Sequence, residues 1–140
     1  MVLLGSCLCG AVRLSLSASP HRVGLCHCMT CRKEGGGPFK HFAVFADCAV
    51  DITGPTSHWT SEKGAQRHFC PGCGSHLFER LPDSQEIEIN AGCLDEPGHL
   101  APAYELWCQR RETWLPDLHI PMYPADRTPT STSNDAESPR

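Results

Sequence analysis

The stretch Cys26-His27-Cys28-Met29-Thr30-Cys31 places three thiols within one short segment. Two cysteine pairs stand far from it along the chain, in Cys7-Leu8-Cys9 and in Cys70-Pro71-Gly72-Cys73-Gly74. Residues two apart in an extended chain point the same way, so a Cys-x-Cys pair presents both sulfurs to one ion. In the later pair a tight turn brings the thiols together, and its glycines let backbone N–H groups approach the sulfurs. Two such pairs from distant segments are typical of a structural zinc site.

The number of thiols in these stretches predicts two zinc ions per chain. Seven ligands are too many for one tetrahedral zinc and one too few for two closed sites, so four plus three is the natural division. Three of them can wrap one ion from a single loop and leave a position open for water or substrate: Cys26, Cys28 and Cys31. The others would then close a structural site: Cys7, Cys9, Cys70 and Cys73.

Spacing leaves other pairings open. It also leaves open a fourth ligand for the triplet, with four candidates: His27, Cys48, Cys93 and Cys108. A triplet closed in this way predicts a noncatalytic zinc module for protein or nucleic-acid binding, whereas an open triplet predicts an enzyme.

The reading of these cysteines as metal ligands depends on the cellular compartment. The N-terminal residues 1–6 lack the basic and apolar regions of a signal peptide, and no stretch approaches the roughly 18 apolar residues of a membrane helix. We therefore expect a cytoplasmic protein, whose clustered thiols stay reduced and bind metal. The cysteines outside the clusters are expected to be small buried hydrophobic residues: Cys48, Cys93 and Cys108.

The net charge of −4 and the pI of about 6.0 argue against nucleic acid and an anionic membrane as partners. The sequence leaves the oligomeric state open.

The chain between the clusters predicts short strands separated by turns. Alternation and β-branched or aromatic runs mark eight candidates: residues 11–17, 41–46, 49–53, 57–61, 67–69, 76–80, 86–91 and 104–108. Only a turn or two of helix fits, around Met29–Glu34. With 12 glycines and 12 prolines, the fold should be mainly β and loop-rich, with zinc helping to stabilise it.

We expect one domain over residues 1–125. Residues 126–140 lack large apolar side chains and should form a disordered tail.

Four motifs follow in order along the chain: Gly5-Ser6-Cys7-Leu8-Cys9-Gly10-Ala11-Val12, Cys26-His27-Cys28-Met29-Thr30-Cys31-Arg32-Lys33, Gly37-Pro38-Phe39 and Phe69-Cys70-Pro71-Gly72-Cys73-Gly74. In these the chain resembles the glutathione-dependent formaldehyde-activating enzyme family, which also contains the centromere protein V domain. The resemblance covers about residues 3–124 and includes Ala91-Gly92-Cys93-Leu94-Asp95. One departure from the family pattern is Glu34-Gly35-Gly36-Gly37, which places an acidic, flexible stretch beside the triplet.

The resemblance implies a zinc-containing, Mss4-like β fold and the same division of ligands. Cys7, Cys9, Cys70 and Cys73 would hold the structural zinc, and Cys26, Cys28 and Cys31 the catalytic one. A thiol that binds an open three-cysteine zinc is held as thiolate. The predicted activity is therefore a carbon–sulfur lyase acting on thiol–aldehyde adducts such as S-hydroxymethylglutathione, with no side-chain nucleophile and no catalytic residue beyond the metal ligands.

Several further side chains receive weaker predictions. A glutathione-like ligand could meet three basic residues near the triplet, although a solvated basic turn is the favoured explanation for each: Arg32, Lys33 and Lys40. The tryptophans are expected in the core, or else in a pocket wall: Trp59, Trp107 and Trp114. His27 should point away from the metal, and no role is assigned to three other histidines: His41, His68 and His76.

Overall fold

The computed structural model describes residues 2–96 and 98–127, and this part of the chain contains ten strands and one α-helix. The strands are β1 (Leu3–Ser6), β2 (Arg13–Leu16), β3 (Arg22–Cys26), β4 (Lys40–Ala46), β5 (Val50–Thr53), β6 (Ser57–Thr60), β7 (Gln66–Phe69), β8 (His76–Arg80), β9 (Glu86–Asn90) and β10 (Glu105–Leu106). Helix α1 spans Met29–Gly35, and short 3-10 turns span Asp47–Ala49, Ala91–Cys93 and Cys108–Arg110. The predicted mainly β, loop-rich fold class is confirmed.

The strands form two sheets. The smaller is antiparallel in the order β1-β2-β5, and the larger has the order β10-β3-β4-β9-β8-β7-β6. Within the larger sheet only the β10–β3 pair is parallel in the described residues, with Leu106 opposite Cys26. Cys26 also lies opposite Lys40 of β4, so the last residue of β3 is held from both sides.

Strand β4 separates two hydrophobic cores, because successive side chains of a strand point to opposite faces. Ala43 and Phe45 belong to a core with β2, β8 and β9 side chains, which also includes Cys7 and Cys70. Phe42 and Val44 belong to a second core with Tyr104 and Leu106, which includes three buried cysteines: Cys26, Cys28 and Cys31. The cysteine stretches are thus built into the cores on opposite faces of one central strand.

Most of the predicted strands are present with shifted ends. The alternating stretch at residues 11–17 forms β2, in which Leu14 and Leu16 are buried, and the prediction for residues 76–80 matches β8. The predicted strand at residues 104–108 is shortened to Glu105–Leu106, because Trp107 has a left-handed backbone with φ of 56°. Strands β1 and β3 were not predicted.

The predicted domain boundary falls close to an ordered contact. The Trp107 Nε1–H group donates to an Asp126 carboxylate oxygen at 2.9 Å, and the Arg127 guanidinium lies 5.0 Å from the centre of the Tyr104 ring. Contacts to the body of the fold thus extend to the first two residues of the predicted tail. The remainder of that tail, residues 128–140, lies outside the described residues. In the described part of the chain no helix is long and apolar enough to span a membrane.

Candidate metal centres

The first candidate centre is the four-cysteine cluster, formed by Cys7, Cys9, Cys70 and Cys73. The ligand atoms of all four lie within 4.8 Å of one another, although the two pairs are separated by some sixty residues of chain. The Sγ atoms of Cys7 and Cys9 are 3.5 Å apart, and those of Cys9 and Cys70 are 3.8 Å apart. These distances are too long for a disulfide, whose sulfurs are about 2.05 Å apart. They match the roughly 3.8 Å expected for two thiolates on a tetrahedral zinc with Zn–S bonds of about 2.3 Å.

The loops around the four-cysteine cluster point hydrogen-bond donors at its sulfurs. The Val12 N–H group donates to Cys7 Sγ at 3.2 Å, and Ser75 Oγ lies 3.2 Å from Cys73 Sγ. The turn after Cys70 closes with Gly74 N–H donating to the Cys70 carbonyl at 2.8 Å, and Gly74 has φ of 76°, a conformation that glycine adopts without strain. Such donors offset negative charge on metal-bound sulfur.

The pKa values of these thiols diverge because the sulfurs compete for the same protons and donors. Hydrogen bonds from the Ser75 hydroxyl and backbone lower the pKa of Cys73 to about 5. The Ala11 backbone lowers the pKa of Cys9, but the neighbouring sulfurs outweigh it and raise that pKa to about 11. One cation shared by the cluster would allow all four thiols to ionise together, so the donor set fits a divalent metal ion.

The second candidate centre is the three-cysteine cluster, formed by Cys26, Cys28 and Cys31. Its ligand atoms also lie within 4.8 Å of one another, and its residues are only 0%, 7% and 1% exposed. Cys26 ends β3, Cys28 is the N-cap of α1, and Cys31 lies in the first turn of the helix. The Cys28 sulfur accepts a hydrogen bond from the Cys31 N–H group at 3.3 Å. The strand-to-helix turn therefore gathers all three sulfurs from a single segment.

A buried guanidinium supports this second cluster. Arg67 is 4% exposed, and its Nη1 atom lies 3.8 Å from Cys31 Sγ. It forms ion pairs with Glu34 of α1 and, at 3.1 Å, with Glu79 of β8. Burial by itself lowers the pKa of Arg67, but Glu79, Cys31 and Glu34 raise it above its usual value. Arg67 is therefore a permanent positive charge beside the three thiols.

Lys40 belongs to the same network of buried ion pairs. Its Nζ atom lies 2.9 Å from a Glu88 oxygen and 3.8 Å from Glu79, and the lysine is 8% exposed. The network therefore contains two buried cations and three acids, and Arg67 joins it to the three-cysteine cluster. Its members come from α1, β4, β7, β8 and β9. Pairing makes the burial of these charges tolerable.

A cavity of about 220 Å³ adjoins the three-cysteine cluster, and Cys31 is one of its lining residues. Phe39, His41 and Asn90 also line it. The Asn90 Oδ1 atom is buried and has no hydrogen-bond partner in the described residues. We name this space the inner cavity. A small polar ligand could therefore come close to Cys31 and meet an acceptor there.

His27 points away from the three sulfurs. Its Nε2 atom lies 2.8 Å from Glu105 Oε1, and both side chains are fully buried. The Arg111 Nε–H group donates to the same carboxylate oxygen at 3.0 Å. His27, Glu105 and Cys108 also lie close enough to be considered as metal ligands. His27 and Arg111 both contact Glu105 Oε1, whereas Glu105 Oε2 is buried and has no hydrogen-bond partner in the described residues.

The structure separates the basic residues that were predicted near the triplet. Arg32 pairs with Glu112, and Lys40 is buried in the network described above. Lys33 alone of the three is exposed, and it lines a second cavity that α1 shares with strands β6, β7 and β8. The predicted flexible stretch begins inside α1, and Glu34 is held by Arg67.

The predictions about isolated residues are confirmed only in part. Trp59 and Trp114 are 56% and 67% exposed, so neither is a core residue, but Trp59 lines a cavity, which is the alternative predicted for the tryptophans. Cys48 is exposed because it lies in the 3-10 turn between β4 and β5, whereas Cys93 and Cys108 are half-buried. None of the ten cysteines, all of which lie within the described residues, forms a disulfide.

Fold and site together define a small, mainly β protein with two cysteine clusters that could hold metal ions. The family model described as "Glutathione-dependent formaldehyde-activating enzyme" matches residues 2–110, and the chain belongs to this family. A crystal structure of a Rhodobacter sphaeroides protein has the same fold, with a TM-score of 0.56 and 20% identity over 69% of this chain and 91% of that one.

Two curated relatives share part of the sequence. An uncharacterised lyase of Schizosaccharomyces pombe is 32% identical over 74 residues, which is 53% of this chain and 54% of the relative. A Halomonas elongata protein named "Putative glutathione-dependent formaldehyde-activating enzyme" is 32% identical over 96 residues, covering 62% of this chain and 61% of the relative. The chain thus spans between half and two thirds of the length of these relatives.

Proposed function

We propose that this chain is a cytoplasmic zinc-dependent carbon–sulfur lyase that acts on thiol–aldehyde adducts of the S-hydroxymethylglutathione type. In this proposal the four-cysteine cluster holds a structural zinc and the three-cysteine cluster an open catalytic zinc. The family and the lyase name of one relative support the reaction class. The observation that carries the proposal is that three buried thiols gather beside a cavity, apart from the other four.

The donor sets suit zinc in both clusters. Thiolates are preferred zinc ligands, four of them are typical of structural sites, and a catalytic site has three protein ligands. The proposed zinc-binding unit is residues 1–125, together with Asp126, which contacts Trp107.

The reaction can be written with its atoms balanced. In an adduct R–S–CH₂–OH the carbon–sulfur bond breaks, the C–O bond becomes the carbonyl of formaldehyde, and the hydroxyl proton ends on the thiol R–SH. A zinc ion held by the three-cysteine cluster would favour the thiolate form of the departing sulfur. The reverse reaction joins the same thiol to the aldehyde.

The residues around the inner cavity have distinct tasks in this scheme. Arg67 offsets the negative charge of the three thiolates from the buried side, through its contact with Cys31. Asn90 Oδ1 accepts the hydrogen bond of the adduct hydroxyl, which satisfies an atom that otherwise lacks a partner in the described residues. Phe39 is an apolar lining residue near the reacting sulfur and helps to exclude bulk water.

The proposal is tested by metal analysis combined with a turnover assay. The full-length protein should contain two zinc ions and should accelerate the interconversion of a thiol, formaldehyde and their adduct, measured by NMR exchange spectroscopy. Cys28→Ser should lose one zinc and the activity. Cys48→Ser, at an exposed cysteine outside both clusters, should keep both. Full activity in the Cys28→Ser protein would contradict the proposal. So would a wild-type protein that holds two zinc ions but accelerates no adduct reaction, which would favour a noncatalytic zinc module.

A further inference from the structure

A second and larger cavity is lined by α1 and by strands β6, β7 and β8 of the larger sheet. Its volume is about 520 Å³, within the range of about 300–1,000 Å³ that small-molecule sites occupy. Met29 and Lys33 of α1, Trp59 of β6 and Phe69 of β7 line it. We name it the outer cavity.

The outer and inner cavities adjoin each other at one pair of side chains. Glu34 and His76 line both cavities, and His76 Nδ1 lies 3.4 Å from Glu34 Oε1. A ligand whose sulfur reaches Cys31 through the inner cavity can therefore extend past this pair into the outer cavity. The outer cavity is the space available to the part of a thiol substrate that does not react.

The charges that line the outer cavity are already paired, with one exception. Glu34 is held by Arg67 and His76, and Arg67 by Glu34 and Glu79. Lys33 is exposed, and no acidic side chain within residues 2–96 and 98–127 forms an ion pair with it. Among the described residues, the lining thus offers a ligand one available cation and no available anion.

Much of the lining of the outer cavity is apolar. Trp59 is 56% exposed and Met29 is 42% exposed, and both face this space together with Phe69. Exposed aromatic and thioether side chains around a concave space favour a ligand with an apolar or aromatic body. Glutathione, a polar zwitterion with two carboxylates and an ammonium group, would leave one carboxylate and its ammonium group unmatched here.

We propose that the outer cavity selects thiols with an apolar, preferably aromatic, body and a single carboxylate, with Trp59 packing on the body and Lys33 pairing with the carboxylate. This inference rests on the proposed function and names the substrate class of the same site. It makes Lys33 and Trp59 specificity-determining residues.

The test uses the full-length protein with cobalt in place of zinc, because thiolate binding to cobalt strengthens a sulfur-to-metal absorption band. Four alkyl thiols are titrated: 4-(mercaptomethyl)benzoate, benzyl mercaptan, 3-mercaptopropionate and glutathione. The first should bind most tightly, about tenfold more tightly than glutathione. Lys33→Gln should weaken 4-(mercaptomethyl)benzoate about fivefold and leave benzyl mercaptan unchanged, as expected for a partly exposed ion pair. Lys33→Glu should weaken the carboxylate thiols further.

The aromatic contact has its own test. Trp59→Ala should weaken both benzylic thiols about tenfold and leave 3-mercaptopropionate unchanged. Lys63→Gln and Trp114→Ala are matched controls, because both residues are exposed and neither lines the outer cavity, and they should change no affinity.

The failures of the two proposals are distinguishable. Equal binding of all four thiols, unaffected by changes at Lys33 and Trp59, would overturn this inference and leave the open three-cysteine site intact. Tighter binding of glutathione than of the benzylic carboxylate would also overturn it. A cobalt spectrum that responds to no thiol would overturn the proposed function itself, and this inference with it.

Discussion

The two cysteine clusters differ in how they are assembled and in how their charge is offset. The four-cysteine cluster joins two distant segments near the surface, where Cys9 is exposed, and its donors are backbone N–H groups and Ser75. The three-cysteine cluster comes from one strand-to-helix turn, is buried, and has the Arg67 guanidinium beside it.

This contrast separates two properties of a metal site that are often equated: how deeply its ligands are buried, and whether the protein supplies a complete set of ligands. The more exposed cluster has a complete set of thiol ligands, whereas the deeply buried one has three thiols and a cavity beside them. Backbone donors suit a centre that only links two segments. A side-chain cation held by acids of α1 and β8 suits a centre whose charge changes when a ligand thiol joins it.

The largest expected difference concerns stability. Cys70→Ser should yield insoluble or unfolded protein, because the four-cysteine cluster links distant segments and its metal-binding free energy contributes to folding. Cys28→Ser should remain folded with a cooperative thermal transition and one metal fewer. Circular dichroism and metal analysis of both variants check this, and equal destabilisation by the two changes would remove the distinction between the clusters.

A smaller effect should follow from removing the buried cation of the three-cysteine cluster. Arg67→Met should destabilise the fold by about 3 kcal/mol, because it leaves Glu34 and Glu79 buried without their partner. Arg80→Met, at a half-exposed pair with Asp47, should cost at most about 1 kcal/mol. Urea unfolding measures both. Arg67→Met should also weaken metal retention in the three-cysteine cluster alone, and a loss confined to the other cluster would refute its assigned role.

The side chain of Asn90 tests whether the inner cavity is used for chemistry. Asn90→Ala should lower kcat/KM for the adduct about tenfold, or about 1.4 kcal/mol in transition-state stabilisation, with two zinc ions still bound. Gln109→Ala, at an exposed amide elsewhere, is the control. Unchanged turnover by the Asn90→Ala protein would show that its amide does not contact the adduct.

The smallest expected effect concerns the contribution of Glu86 to stability, because this residue belongs to neither cysteine cluster. Burial raises the pKa of Glu86, but hydrogen bonds from Arg22 and His21 outweigh it and lower that pKa below its usual value. A lowered folded-state pKa gives stability that is present above the unfolded value of about 4.3 and is lost as pH falls through the folded one. Glu86→Gln should therefore cost about 0.5–1 kcal/mol at pH 7, and the difference from wild type should shrink as pH falls below about 4.3 and vanish once Glu86 is protonated in the folded state. Metal content should not change, and a pH-independent difference would contradict this origin.

The sequence was most informative where the evidence is local. Cysteine spacing predicted both groups of thiols, and alternation predicted β2 and β8. Strand β3 was missed because Gly24 interrupts its apolar run. A Cβ atom there would lie 2.8 Å from Phe42 and 3.1 Å from Tyr104, so the glycine is required by tertiary packing that no sequence pattern displays.

The candidate site could be predicted only in part for the same reason. Arg67 meets Glu34 and Cys31 across more than thirty residues of chain, and such a contact has no spacing signature. The residue type of Trp59 predicted the core or a pocket wall and could not decide between them. The residue lies on the edge strand β6 and lines a cavity. The zinc assignment, the domain boundary and the disordered tail stay predictions.

Stepwise removal of metal tests the distinction between the clusters most directly, because ligand count and burial predict opposite orders. The full-length zinc protein is titrated with a chromogenic chelator while circular dichroism follows the fold. If the number of thiol ligands determines the order of release, the first equivalent of zinc should leave the buried three-cysteine cluster while the protein stays folded. The Cys28→Ser protein should then lack this first phase. The second equivalent should leave only with unfolding. Release of both metals in one step, or unfolding with the first equivalent, would contradict the division into a closed structural centre and an open one.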